Sequence, residues 1–126
     1  MRDPVVLVVD DNPQNLELLT TWVAELPATV VAAEDGIHAL EMVSRQRPDL
    51  IVLDVMMPRM SGFELCRRLK ADASTHAVPV LMVTALNEPE DVEAGHHSGA
   101  DDFVSKPVSR SELLRRIRTL LGEAGE

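Results

Sequence analysis

Val5-Val6-Leu7-Val8-Val9-Asp10-Asp11-Asn12-Pro13 decides the architecture. Five consecutive apolar residues, four of them β-branched, read as a strand covered on both faces, as in a parallel sheet; a half-solvated strand would alternate polar and apolar. Two carboxylates end the run. Asn12 then reads as an N-cap and Pro13 as the first helical residue, where a missing N–H removes no helical hydrogen bond. Leu16, Leu19, Val23 and Leu26 continue at helical spacing, so helix follows strand almost without a loop.

The same alternation recurs along the chain. Thr29 to Ala33 reads as a second strand, and Leu40 with Val43 anchors a second helix that must stop before Pro48, since the residue ahead of a proline avoids helical geometry. Leu50 to Leu53 is the third strand, ending at Asp54. Ser61-Gly62-Phe63-Glu64 has capping-box spacing and opens a third helix through Leu69, with Phe63, Cys66 and Leu69 facing inward. Val78 to Val83 is the fourth strand, with Pro79 tolerated at its start, and Thr84 ends it. Glu88 to Ser98 is a weakly apolar helix expected to be mobile, with Gly99 as its left-handed stop. Asp102 to Ser105 is a short fifth strand. A second capping box, Ser109-Arg110-Ser111-Glu112, precedes a firm stripe of Leu113, Leu114, Ile117, Leu120 and Leu121, and Gly122 to Glu126 reads as a frayed tail or the start of a linker. Five strands alternating with five helices predict an α/β fold, a doubly wound parallel sheet with helices on both faces.

Composition narrows the class. A chain of 126 residues, 45% apolar and 26% charged, fits one folded domain over residues 1–126 with a core from about 5 to 121. A net charge of −9 argues against direct nucleic-acid binding, which draws on clustered Lys and Arg. Arg110, Arg115, Arg116 and Arg118 are the one basic cluster, read as the solvated face and favourable dipole end of the last helix. A lone cysteine, Cys66, excludes an internal disulfide and reads as a small core residue. No signal-like segment or apolar run of membrane length is visible, so a cytoplasmic location is expected. His96-His97 reads as solvated surface and Trp22 as half-buried.

Ligands of such sheets bind at the carboxyl ends of the strands. Those ends carry Asp10 and Asp11, Asp54, Thr84 and Lys106, all polar. Three converging carboxylates repel one another unless a cation joins them, and oxygen ligands without His or Cys point to Mg²⁺. Magnesium completes its octahedron with waters and phosphate oxygens, which implies a phosphoryl ligand. Lys106, one of two lysines, is a cation suited to a phosphoryl oxygen, and Thr84 supplies a hydroxyl at the same edge.

Asp10-Asp11, Leu53-Asp54-Val55-Met56-Met57-Pro58, Thr84-Ala85 and Lys106-Pro107, in this order, resemble the receiver domains of two-component response regulators, as do Gly62-Phe63-Glu64-Leu65 and Gly99-Ala100-Asp101-Asp102-Phe103. The resemblance runs from about Val5 to about Leu121. It implies a flavodoxin-like sheet with strand order 2-1-3-4-5 and a phosphoacceptor rather than an enzyme in its own right. Asp54 would attack the phosphohistidine of a histidine kinase or phosphotransfer protein. Asp11, Asp54 and the backbone carbonyl of Met56 would bind Mg²⁺, with Asp10 assisting through water. Thr84 and Phe103 would be the switch residues, Lys106-Pro107 a cis peptide bond, and the fourth helix, fifth strand and fifth helix the output face. The resemblance also suggests a phosphorylation-dependent homodimer on that face, pairing Asp101-Asp102 with Arg115-Arg116. Met56 and Leu86 stand where relatives hold or admit the attacking water, and neither carries an acid or amide, so slow autodephosphorylation is expected.

Two rival functions remain at this stage. A phosphatase of the haloacid dehalogenase type also uses a strand-end Asp with Mg²⁺, but needs a second acid two residues later, where this chain has Met56. A receiver-like binding module could act by protein contacts without phosphorylation, an idea the five retained site residues oppose. The downstream effector and the identity of the kinase are not written in the sequence.

Overall fold

The computed structural model describes residues 3–85, 93 and 97–122. Its five strands, β1 (Val5–Val9), β2 (Thr29–Ala33), β3 (Leu50–Asp54), β4 (Val80–Thr84) and β5 (Asp102–Ser105), form one sheet in the order β2-β1-β3-β4-β5, every pair parallel. Among the described residues the helices are α1 (Pro13–Val23), α2 (Gly36–Arg45), α3 (Gly62–Ala71) and α4 (Arg110–Leu120). The last is the fifth helix of the sequence reading. The weak helix expected over Glu88 to Ser98 lies mostly outside the described residues; Glu93 and His97 within it are helical, and Gly99 after it has φ of 87°.

β1 shows why its apolar run had to be unbroken. Val6 and Val8 pack on one side of the sheet with Leu19 and Val23 of α1 and Leu113, Leu114 and Ile117 of α4. Leu7 and Val9 pack on the other with Ala39 and Val43 of α2 and Leu65, Cys66 and Leu69 of α3. Alternate side chains of one strand therefore feed two separate cores. Burying one Val or Leu side chain contributes about 1.5–3 kcal/mol, so a polar residue anywhere in this run would be felt.

Several departures from the sequence reading have a local cause. α1 ends at Val23 and not at Leu26. The N–H groups of Glu25 and Leu26 donate to carbonyls three residues back, a tightening that suits Pro27 next, and Leu26 is buried by the turn itself. β4 starts at Val80, because Val78 is held by the Thr75 carbonyl in the preceding turn. Both capping boxes form only half: Ser61 and Ser109 accept from the N–H groups of Glu64 and Glu112, while those carboxylates pair outward with Arg68 and with Arg115 and Arg116.

Candidate functional site

β1, β3, β4 and β5 end side by side, and their ends carry the polar residues singled out above. Asp10 follows β1 and is 1% exposed; its carboxylate accepts the N–H of Asn12 at 2.9 Å, which aims it across the sheet edge. Asp11, one residue on, is solvent-exposed. Asp54 closes β3 at 3% exposure. One carboxylate oxygen from each of the three lies within 4.8 Å of the other two.

Burial is the main reason that Asp10 has its pKa raised to about 6; the Asn12 N–H opposes the shift and the charge of Asp54 adds to it. Lys106 reaches back from the end of β5 and puts its Nζ 2.8 Å from Asp54 Oδ1. That ammonium is the partner of Oδ1, which is buried and accepts no further hydrogen bond among the described residues. The Lys106 N–H donates to the Thr84 carbonyl at 2.9 Å, fixing the start of the connection into α4, and the Lys106-Pro107 bond is cis. Thr84 ends β4, buried, opposite Ser105 in the register.

The β3–α3 connection is held at its base. The Val55 carbonyl accepts the N–H groups of both Met57, at 3.1 Å, and Gly62, at 2.9 Å. Met56 is thus the corner of a three-residue turn, 73% exposed, and among the described residues its own carbonyl accepts no hydrogen bond. Gly62 was read from the sequence as part of a cap and of a family-like segment, with no positional role assigned to it. A Cβ there would lie 2.4 Å from the Asp54 carbonyl oxygen and 2.8 Å from Val55 Cα. The helix carrying Gly62 sits against the backbone of the strand end itself; the signals in the sequence were a glycine directly after the cap residue and its place in a family-like segment.

Two hollows flank the acidic cluster. One, of about 270 Å³, is lined by Asp10, Leu18, Trp22, Lys106 and Val108 between α1 and the β5–α4 connection. The other, of about 380 Å³, is lined by Met56, Met57, Ser61, Phe63, Thr84 and Ala85. Phe103 is half-buried on β5, packed against the core beneath α2 and α3, outside both hollows. Leu86 lies outside the described residues.

Residues 6–118 match the family described as Response regulator receiver domain. The chain belongs to that family. It is 41% identical over 118 residues to the DNA-binding dual master transcriptional regulator RpaA of Synechocystis, covering 94% of this chain and 49% of RpaA. The receiver thus spans about half the length of that relative, and the DNA-binding activity is a property named for the longer protein. Among solved structures, the signal receiver domain of a signal transduction histidine kinase from Syntrophus aciditrophicus superposes with a TM-score of 0.90 at 35% identity, covering 98% of this chain and 93% of that one. The receiver domain of sensor histidine kinase PA1611 from Pseudomonas aeruginosa, solved with a magnesium ion coordinated in its active site cleft, gives 0.87 at 31% identity, with 95% and 98% covered. The order of the five parallel strands is the flavodoxin-like one.

The residues present suit a hard divalent cation. Three carboxylate oxygens converge, two of them from buried residues, and neither His nor Cys is in the cluster.

Proposed function

We propose that this receiver accepts a phosphoryl group on Asp54, in a single domain spanning residues 1–126 and in the presence of Mg²⁺. The observation that carries the reading is the Asp54 carboxylate: buried, within reach of two further carboxylates, and ion-paired through Oδ1 to the Lys106 ammonium at 2.8 Å. A carboxylate that no backbone N–H ties down can offer an oxygen as a nucleophile. Asp11, Asp54 and the Met56 carbonyl would hold Mg²⁺ directly and Asp10 through water. When bound, the cation neutralises charge on the oxygens of the transferring group, the main lever available in phosphoryl transfer.

An Asp54 oxygen attacks phosphorus of a phosphohistidine, the P–N bond breaks, and its electron pair stays on the imidazole. Lys106 exchanges its pairing with the carboxylate for one with a phosphoryl oxygen. Thr84 donates its hydroxyl to another, and Phe103 moves inward behind it. The phosphoryl group biases the two arrangements only through such differential contacts. The change is read on the face built around β5, α4 and the expected helix before β5, by an effector domain or protein. A histidine kinase or phosphotransfer protein is the donor. Nothing in the site supports turnover of outside substrates, since the second acid that a phosphomonoesterase needs is replaced by Met56.

A homodimer across the output face, formed on phosphorylation, would have to exchange pairs made within one chain. Arg116 already grips both oxygens of Asp102 at 3.0 Å, and Lys70 holds Asp101 at 2.8 Å. An unchanged monomer mass after beryllofluoride treatment would end the dimer reading. Among the described residues no helix is long and apolar enough to cross a membrane, and we place the protein in the cytoplasm, where kinase donors of this family act.

The test is transfer of radiolabel from acetyl phosphate or phosphoramidate. Wild type takes up label dependent on Mg²⁺ and Asp54→Asn takes up none. Equal absence of label from both would leave a receiver-like module acting by contact alone.

A further inference from the structure

We propose that Met56 is a redox-modification site, and that oxidation of its thioether to the sulfoxide by a hydroperoxide shortens the life of the phosphoryl group on Asp54; this rests on the phosphoacceptor reading above. Methionine reactivity follows exposure, and the contrast here is sharp. Met56 is 73% exposed at the corner of its turn, whereas Met60 and Met82 are buried, and Met42 and Met57 are partly covered. Cys66, the single thiol, is fully buried, and burial pushes its pKa up.

The placement of Met56 gives the modification a consequence. It stands two residues beyond Asp54 and lines the same hollow as Thr84. A thioether is a weak acceptor, so the side chain offers water in that hollow nothing that could orient it. In the oxidation, a lone pair on Sδ attacks a peroxide oxygen, the S–O bond forms and the O–O bond breaks. The departing oxygen takes up a proton and leaves as water when the oxidant is hydrogen peroxide. Sulfur loses two electrons and the peroxide gains them. The sulfoxide oxygen is a strong acceptor at the mouth of the hollow. It can hold a water whose oxygen attacks phosphorus while the Asp54 carboxylate leaves and inorganic phosphate is released.

One well-made hydrogen bond to the attacking water is expected to speed loss of label about tenfold. The experiment labels the protein with acetyl phosphate and Mg²⁺, with and without prior hydrogen peroxide, locates added oxygen by peptide fragmentation that separates Met56 from Met57, and follows label decay. The expected result is oxygen on Met56, decay about tenfold faster in the treated protein, and restoration by methionine sulfoxide reductases. Within Met56→Leu, treated and untreated samples decay alike. An unoxidised Met56, or an oxidised Met56 with unchanged decay, overturns the proposal; equal acceleration in Met56→Leu overturns it as well. Failure of the untreated protein to take label strikes the phosphoacceptor reading, a separate and visible outcome.

Discussion

Replacing Gly62 with alanine adds one methyl group, and the structure says where it must go. Its Cβ would meet the Asp54 carbonyl oxygen at 2.4 Å, Val55 Cα at 2.8 Å and the Asp54 carbonyl carbon at 3.0 Å. All three are main-chain atoms at the end of a central strand, so no rotamer change relieves the clash. Either the first turn of α3 backs away, or the end of β3 shifts and takes the Asp54 carboxylate with it. Overpacking costs about 1–3 kcal/mol. Backing away also stretches the Gly62 to Val55 hydrogen bond of 2.9 Å, adding about 1 kcal/mol. A loss of about 2–4 kcal/mol is expected in urea unfolding, seen as a lower midpoint with an unchanged slope. Mg²⁺ affinity, measured on the folded variant by calorimetry, should fall about tenfold, because displacing the strand end moves a ligand. Gly36→Ala is the control: its Cβ meets Met60 Sδ at 2.8 Å, the flexible end of a thioether chain, so the cost should stay near 1 kcal/mol with metal affinity intact. A Gly62→Ala protein within about 0.5 kcal/mol of wild type, binding Mg²⁺ normally, would refute the claim that the glycine sets the position of Asp54.

Other perturbations test the electrostatics. Asp10 keeps its proton to about pH 6 when folded against 3.8 for the ordinary group. Between those values the native state binds the proton and the unfolded state does not, so stability falls as pH rises; by about pH 7 the cost reaches about 3 kcal/mol. Asp10→Asn should therefore stabilise the metal-free protein at pH 7.5 and leave it unchanged near pH 3, by urea melts in EDTA; equal effects at both would refute the burial argument. Because that proton competes with metal, Mg²⁺ should bind about tenfold more weakly at pH 5 than at pH 7.5, with proton release on binding at pH 5 visible in buffers of different ionisation heat. A double-mutant cycle on Lys106→Met and Asp54→Asn should show coupling of about 1–2 kcal/mol, the partial exposure of Lys106 reducing the value for a fully buried pair. Lys70→Met should cost about 2 kcal/mol in thermal unfolding, since its ammonium bonds the carbonyls of Val78 and His76 as well as Asp101; an unchanged midpoint would mean that these contacts are solvent-equivalent.

The parts of this molecule that could be read from the sequence are those where a local pattern has one physical outcome. The run Val5–Val9 could only be a strand covered on both faces, and its two-sided packing between separate cores shows this. The parallel sheet followed from alternation, and the strand order from the resemblance. The acidic cluster was legible because its carboxylates stand at or just after the carboxyl ends of strands, where ligands of a parallel sheet bind. What failed was what depends on competition between partners. A glutamate three residues after a serine predicts a reciprocal cap, yet Glu64 and Glu112 have arginines one turn away and pair with those. Sequence spacing likewise did not show that Asp101 and Asp102 have partners within the chain, Lys70 and Arg116, which a homodimer on that face would have to share or exchange. The role of Gly62 went unread for a related reason: its constraint comes from the main chain of Asp54 and Val55 across the intervening loop, and no spacing rule encodes that approach.

The doubly used carbonyl of Val55 has a further implication for how this site can diversify. Both ends of the segment from Met57 to Gly62 are pinned to that single atom, so the residues between them form a closed bight whose girth does not set the strand below it. Lengthening the bight near Arg59, which already has a positive φ of 66°, should leave the carboxylate of Asp54 in place while presenting a new rim to whatever docks there. Chains of this design could in that way exchange partners by editing a few exposed positions, with the chemistry beneath untouched.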